Sequence, residues 1–205
     1  MKVNVKSNTF KLVFSALMIA LATVLSLSPF KMPFGGSITL ASMVPLVLVA
    51  QFYGFSWSLL TCSAYGIIQL ILGLGDLKGL TLWATIGSVA LDFVVAFAVV
   101  SLAAVTKGDK LTAGRAALGA FIGTFARFVI HYISGVILWT SVDSVTWLPE
   151  WLQSNWFVAD GRWVWGYSLL YNGLYMIPEI ILTVAVSAIL FGLVKFDKLF
   201  KTAEI

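Results

Sequence analysis

Between Lys31 and Asp76 the chain carries no aspartate, glutamate, lysine or arginine, and the stretch is largely apolar. An uncharged run of that length cannot be laid on the surface of a soluble domain without leaving wide apolar patches in water. A helical membrane span needs about 20 mostly apolar residues, so the run has room for two. The rest of the chain follows suit. Of 205 residues, 60% are hydrophobic and 11% charged, where a soluble domain carries about 25% charged residues. The surplus apolar surface must face lipid, and a single membrane domain, 1–205, accounts for the whole sequence.

The expected fold class is therefore an all-α integral membrane protein, a bundle of six transmembrane helices. Spans are expected at about 12–28, 39–53, 57–74, 80–105, 116–141 and 167–194. Pro29 and the turn-rich Pro33-Phe34-Gly35-Gly36 close the first, and Gly54 interrupts the charge-free run between the second and third. Loop charge sets the orientation. Lys2, Lys6, Lys11, Lys107, Lys110, Arg115, Lys195, Lys198 and Lys201 fall on one side, against Lys31, Lys78 and Arg162 on the other. This places both termini in the cytoplasm. The connection Val142–Gly166, with Trp147, Trp151, Trp156, Trp163 and Trp165, is then extracellular. Those tryptophans suit an interfacial aromatic belt or a surface helix better than direct ligand contact.

Several classes are disfavoured. The apolar run Leu12–Phe30 is longer than a signal-peptide core and lacks a small-residue cleavage site, so it reads as a span. The net charge of +4 comes without a basic cluster or an RNA-binding signature, so topology explains it and nucleic acid is not expected. No G-x-x-x-x-G-K-[ST] motif for nucleotide hydrolysis occurs. One histidine and one cysteine, Cys62, make a dedicated metal site improbable. Neither a catalytic set nor a cofactor is implied.

Four ionisable groups fall inside expected spans: Asp92, Arg127, His131 and Glu179. A charge facing lipid at mid-bilayer costs ~2.5 kcal/mol or more, so these groups should point into the bundle, as a functional site or as a polar cluster joining helices. The fifth span is the most informative. Gly119, Gly123, Arg127, His131, Gly135 and Trp139 recur every four residues, a spacing that keeps neighbours on one helix face. The glycine half invites close helix approach, and the other half carries a cation, an imidazole, a gap and an indole. Tyr167, Tyr171, Asn172 and Tyr175 crowd the start of the sixth span. Aromatic walls around one buried carboxylate suit a planar, cationic, hydrogen-bonding ligand. Glu179, deeper and just after Pro178, is open to a structural role.

These residues carry a resemblance. Pro33-Phe34-Gly35-Gly36-Ser37-Ile38-Thr39-Leu40-Ala41-Ser42-Met43-Val44-Pro45 is similar to the first-loop signature of the thiamine-specific S-component family (ThiT) of energy-coupling factor (ECF) transporters. Leu91-Asp92-Phe93, the segment Arg127 to Val136 and Tyr167-Ser168-Leu169-Leu170-Tyr171-Asn172-Gly173 resemble the same family. The resemblance implies a six-helix, thiamine-binding membrane subunit without an ATPase site of its own. Trp139 would stack on a thiamine ring and His131 contact the ligand from the same wall. Asp92 would answer the thiazolium cation, Tyr167 and Asn172 would add hydrogen bonds, and Gly135 would leave room for the ring. Arg127 joins the candidate site on its place in the stripe, and Trp83 at the mouth of the fourth span completes it. Phe93 stands where the family pattern has a tyrosine. The implied partners are a transmembrane coupling subunit and two ATPase subunits, and Ala16 and Ala20 fit a small-residue docking face. Two other readings compete: a solitary proton-coupled secondary transporter using Asp92, Arg127 and Glu179, and an intramembrane enzyme.

Overall fold

The computed structural model describes residues 7–27, 30–32, 36–139, 150–153 and 163–194, together with Val5 and Phe196. Six helices form the bundle: α1 (Asn8–Ser26), α2 (Val44–Tyr53), α3 (Phe55–Leu72), α4 (Leu82–Thr106), α5 (Ala113–Leu138) and α6 (Trp163–Leu193). Among the described residues the rest is helical turns, loops and one isolated antiparallel bridge, Lys31 to Ser37. Hydroxyl caps start three helices: Ser7 accepts from the Phe10 N–H, Thr81 from Ala84 and Thr112 from Arg115. Gly54, at φ 82°, makes the break between α2 and α3 that a side chain would resist.

Five helices, all but α2, are long and apolar enough to cross a bilayer. Their outward faces, with Leu17, Ile71, Phe121 and Ile181, are exposed apolar surface, as lipid contact requires. α2 is different. Its 10 residues reach about 15 Å, half a hydrocarbon core, and Val44 to Gln51 are all buried. A helix apolar on every side belongs in a core, and α2 is enclosed by its neighbours.

The second span was expected to begin at 39, whereas the helix begins at Val44. The preceding residues lie in non-helical backbone with Ala41 at φ 57°, and Pro45 occupies the first helical turn, where its missing N–H costs nothing. The segment is tied to α6 at two levels. The Tyr171 hydroxyl accepts from the Gly36 N–H at 3.0 Å, and the Glu179 carboxylate accepts from the Thr39 N–H at 2.8 Å and the Thr39 hydroxyl at 2.5 Å. Tyr171 and Glu179 lie two turns apart, about 12 Å along the axis. The chain thus descends beside α6 in non-helical form before α2 continues it.

α4 is irregular. It is α-helical to Ser88, widens through Val89–Val95, where the Ala96 N–H bonds the Leu91 carbonyl five residues back, and narrows to a 3-10 helix over Val99–Thr106. α5 packs along it through glycines. A Cβ on Gly119 would stand 2.5 Å from the Ala103 carbonyl oxygen, and one on Gly123 would stand 2.7 Å from that of Val100. The glycine half of the predicted stripe is therefore the α4–α5 seam. Around it lie two core clusters: Ala22, Met43, Leu46, Cys62, Tyr65, Phe97 and Val100, and next to it Val47, Ala50, Ala103, Ala104 and Ala120.

Pro33 to Gly35, Lys2, Lys6, Lys195, Lys198, Lys201 and most of Val142–Gly166, including Trp147 and Trp156, lie outside the described residues. Within that connection Glu150–Gln153 forms one helical turn, and Trp151 and Trp165 are exposed.

Candidate ligand-binding site

A cavity of ≈ 260 Å³ opens inside the bundle, just under the size range of small-molecule pockets. Its walls include Asp92, Phe93 and Phe97 from α4, the row Arg127, His131, Gly135 and Trp139 from α5, and Tyr167, Tyr171, Asn172 and Tyr175 from α6. Lys31, Gly36 and Ser37 close one side, Gln69 and Gly73 another. The four-residue spacing on α5 is what presents one side chain per turn to this space.

Asp92 is the electrostatic centre. Its Oδ2 accepts from Ser88 Oγ at 2.5 Å, Ser134 Oγ at 2.7 Å and Trp139 Nε1 at 3.2 Å, and its Oδ1 lies 3.0 Å from His131 Nδ1. Four donors from α4, α5 and its cap hold the carboxylate in place, and among the described residues no arginine or lysine pairs with it. That leaves its negative charge unneutralised toward the cavity. With Nδ1 donating to the carboxylate, the neutral imidazole carries a bare lone pair on Nε2, which is buried and has no protein partner.

Arg127 lies one turn deeper. Its guanidinium stacks 4.4 Å above the Phe97 ring, and its Nε is buried without a hydrogen-bond partner. Among the described residues no carboxylate comes within salt-bridge range of it. Asp92 and Arg127 therefore mark two ends of opposite sign in one cavity. Glu179, 1% exposed, is engaged by Thr39, and the Thr39 hydroxyl in turn faces Ser42 Oγ at 2.8 Å. Its observed bonds hold the segment before α2, and it does not line the cavity.

Asp92, Arg127, His131, Gly135, Trp139, Tyr167 and Asn172 all meet in this cavity. Three differ from their expected surroundings. Gly135 faces α6: a Cβ there would collide with Ser168 Oγ and stand 3.0 Å from Asn172 Nδ2, so the gap serves helix approach. The Asn172 amide is used by the protein, donating to the Ser168 carbonyl at 2.9 Å and accepting from the Tyr175 hydroxyl at 2.7 Å. Trp139 terminates α5, and α5 ends at Leu138 instead of continuing to 141. Trp83 is a correction. It is 80% exposed and lines no part of the cavity, because the first turn of α4 turns its indole outward.

Ser88 and Ser134 were not foreseen. Each sits one turn from a named residue, Ser88 four before Asp92 and Ser134 three after His131. That spacing could have marked them. Tyr171 was read only as part of an aromatic cluster, yet it also accepts from the first-loop backbone.

Fold and cavity together define a polytopic membrane protein organised around one acid-centred, aromatic chamber. Comparison with known proteins gives the family. The family described as Thiamine transporter protein (Thia_YuaJ) matches residues 12–200, and the chain belongs to it. Thiamine transporter ThiT of Bacillus subtilis is 29% identical over 213 residues, covering 95% of this chain and 99% of that protein. Thiamine transporter ThiT of Lacticaseibacillus paracasei is 30% identical over 159 residues, covering 72% of this chain and 70% of that one. A solved structure of ThiT from Listeria monocytogenes superposes with a TM-score of 0.67 over 96% of this chain and 97% of that one. At 19% identity this last likeness speaks to the fold alone. The protein is a multi-pass protein of the cell membrane.

Proposed function

We propose that this chain is a thiamine-binding S-component, the substrate-capturing subunit of an ECF-type, ATP-driven uptake transporter. One observation supports this above the others: the Asp92 carboxylate, held by four donors and paired among the described residues with no lysine or arginine, faces a cavity walled by Trp139, Tyr167 and Tyr171. A permanent ring cation gains most where a fixed negative charge stands in a low-dielectric, aromatic site. Thiamine enters with its thiazolium toward Asp92 and its uncharged hydroxyethyl arm toward Arg127, since the reverse would set two cations together. The His131 Nε2 lone pair accepts from the aminopyrimidine, and Trp139 stacks on a ring.

Asp92, Arg127 and Glu179 make no contact with one another and have separate partners, which favours a binding site over a proton relay. Transport energy then comes from partner ATPases through a transmembrane coupling subunit. Ala16 and Ala20, exposed on one face of α1, form the small-residue docking surface for it. Both termini lie in the cytoplasm and the connection after α5 lies outside.

The test has two arms. Purified protein titrated with thiamine, read by tryptophan fluorescence, should show saturable binding, with Trp139 in the site as reporter. Uptake in cells should require co-expressed coupling and ATPase subunits and survive an uncoupler at constant ATP. Uptake by the chain alone that collapses with the uncoupler would overturn the assignment.

A further inference from the structure

Asp92 sits in the widened part of α4, and two glycines on the facing side, Gly66 within α3 and Gly73 at its C-terminal cap, both receive Phe93. A Cβ on Gly66 would collide with the Phe93 carbonyl oxygen and stand 3.2 Å from the Phe97 Cβ. A Cβ on Gly73 would stand 2.8 Å from Cε1 and 3.0 Å from Cζ of the Phe93 ring. Within the widened turn the Phe93 carbonyl comes so close to α3 that it needs a neighbour without a side chain. Gly75, close by in sequence but not facing residue 93, has nothing within 4 Å of where its Cβ would be.

The geometry points to Gly66 and Gly73 as positioning residues for the Asp92 carboxylate: they admit the carbonyl and ring of Phe93 so that the wide turn seats against α3 and Asp92 reaches its donors on α5. Those donors fix the tolerance. Ser134, His131 and Trp139 all belong to the α5 side, and their bonds to Asp92 run from 2.7 to 3.2 Å. A methyl on Gly66 meets backbone, which cannot rotate aside, so it pushes the turn toward α5 and misplaces the charge. A methyl on Gly73 meets the far end of a ring, which yields. The two substitutions therefore differ in severity. In sequence both glycines are ordinary, one a member of an apolar helix and the other its cap.

This inference rests on the thiamine reading, and the experiment separates the two. Affinities for thiamine and for a neutral isostere, with an uncharged ring in place of the thiazolium, are measured on purified wild type, Asp92→Asn, Gly66→Ala, Gly73→Ala and Gly75→Ala. Folding is followed by thermal unfolding and gel filtration. Gly66→Ala should lose the preference for the cation about fivefold or more, approaching Asp92→Asn, with Gly73→Ala about twofold and Gly75→Ala unchanged. A folded Gly66→Ala that keeps the wild-type preference, or weakens both ligands equally, overturns the inference. If Gly66→Ala does not fold, Gly73→Ala decides, and an unchanged preference there overturns it. A wild type that binds the isostere as tightly as thiamine sinks the reading itself.

Discussion

Replacing Asp92 with asparagine separates charge from shape at the centre of the cavity. The oxygen of the new amide still accepts from Ser88, Ser134 and Trp139, so the carboxylate's three-donor side survives. Its nitrogen replaces Oδ1 and faces His131 Nδ1. Two donors would then oppose each other, so His131 moves its proton to Nε2 and the cavity loses an acceptor along with the negative charge. One desolvated, charge-assisted contact is worth about 1.5–3 kcal/mol. At about 1.4 kcal/mol per decade, thiamine affinity should fall roughly 10- to 150-fold. The neutral isostere should lose about tenfold less, since it never used the charge. Calorimetric titration of both ligands on detergent-purified protein measures the gap, with thermal unfolding as the check on folding. Equal losses for the two ligands, accompanied by a lower unfolding temperature, would make Asp92 a bridge between α4 and α5 and refute the reasoning.

Trp139→Ala should weaken both ligands by a similar factor, about tenfold, because the lost stacking needs no net charge on its partner and the shorter bonds from Ser88, Ser134 and His131 still hold Asp92; the same titrations compare them. Thr39→Val leaves the buried Glu179 carboxylate without one of its two donors from Thr39, a loss of about 1–3 kcal/mol that should lower the unfolding temperature by several degrees. Glu179→Gln keeps both shape and an acceptor and should cost less in the same assay. Ala16→Trp with Ala20→Trp should abolish uptake in cells while thiamine binding by the isolated protein stays within about twofold of wild type; unchanged uptake would show that face to be lipid-exposed only.

Long helices were legible because a lipid-facing helix must be apolar over a fixed length, and α1, α3, α4, α5 and α6 each announce themselves that way. α2 was legible as a helix ending before Gly54 but not as a short one, because burial on all sides and passage through lipid demand the same composition. In the apolar run before Tyr53, Pro45 is a local sign that the helix starts late, and Glu179 holding Thr39 accounts for the non-helical chain before it. The four-residue spacing puts His131 on the cavity wall from within α5 and Trp139 there as the residue that caps it. Trp83 failed because a tryptophan near a helix end looks the same whether it faces a pocket or lipid. Ser88 and Ser134 were missed because serines are ordinary in membrane helices, and their role comes from the acid beside them. The cradle at Gly66 and Gly73 depends on α4 widening opposite α3, which no local pattern marks.

Cys62, the single thiol of the chain, is fully buried in the cluster with Tyr65 and Phe97. Maleimide reagents therefore find no accessible sulfur on the folded protein. Any cysteine introduced at a loop or helix end becomes its sole reactive handle, without first removing a native residue from the core. The protein arrives ready for site-specific fluorophores, spin labels and sidedness mapping, and the loop near Lys110 and the turn at Glu150–Gln153 can be probed from either face of a membrane with the native packing intact.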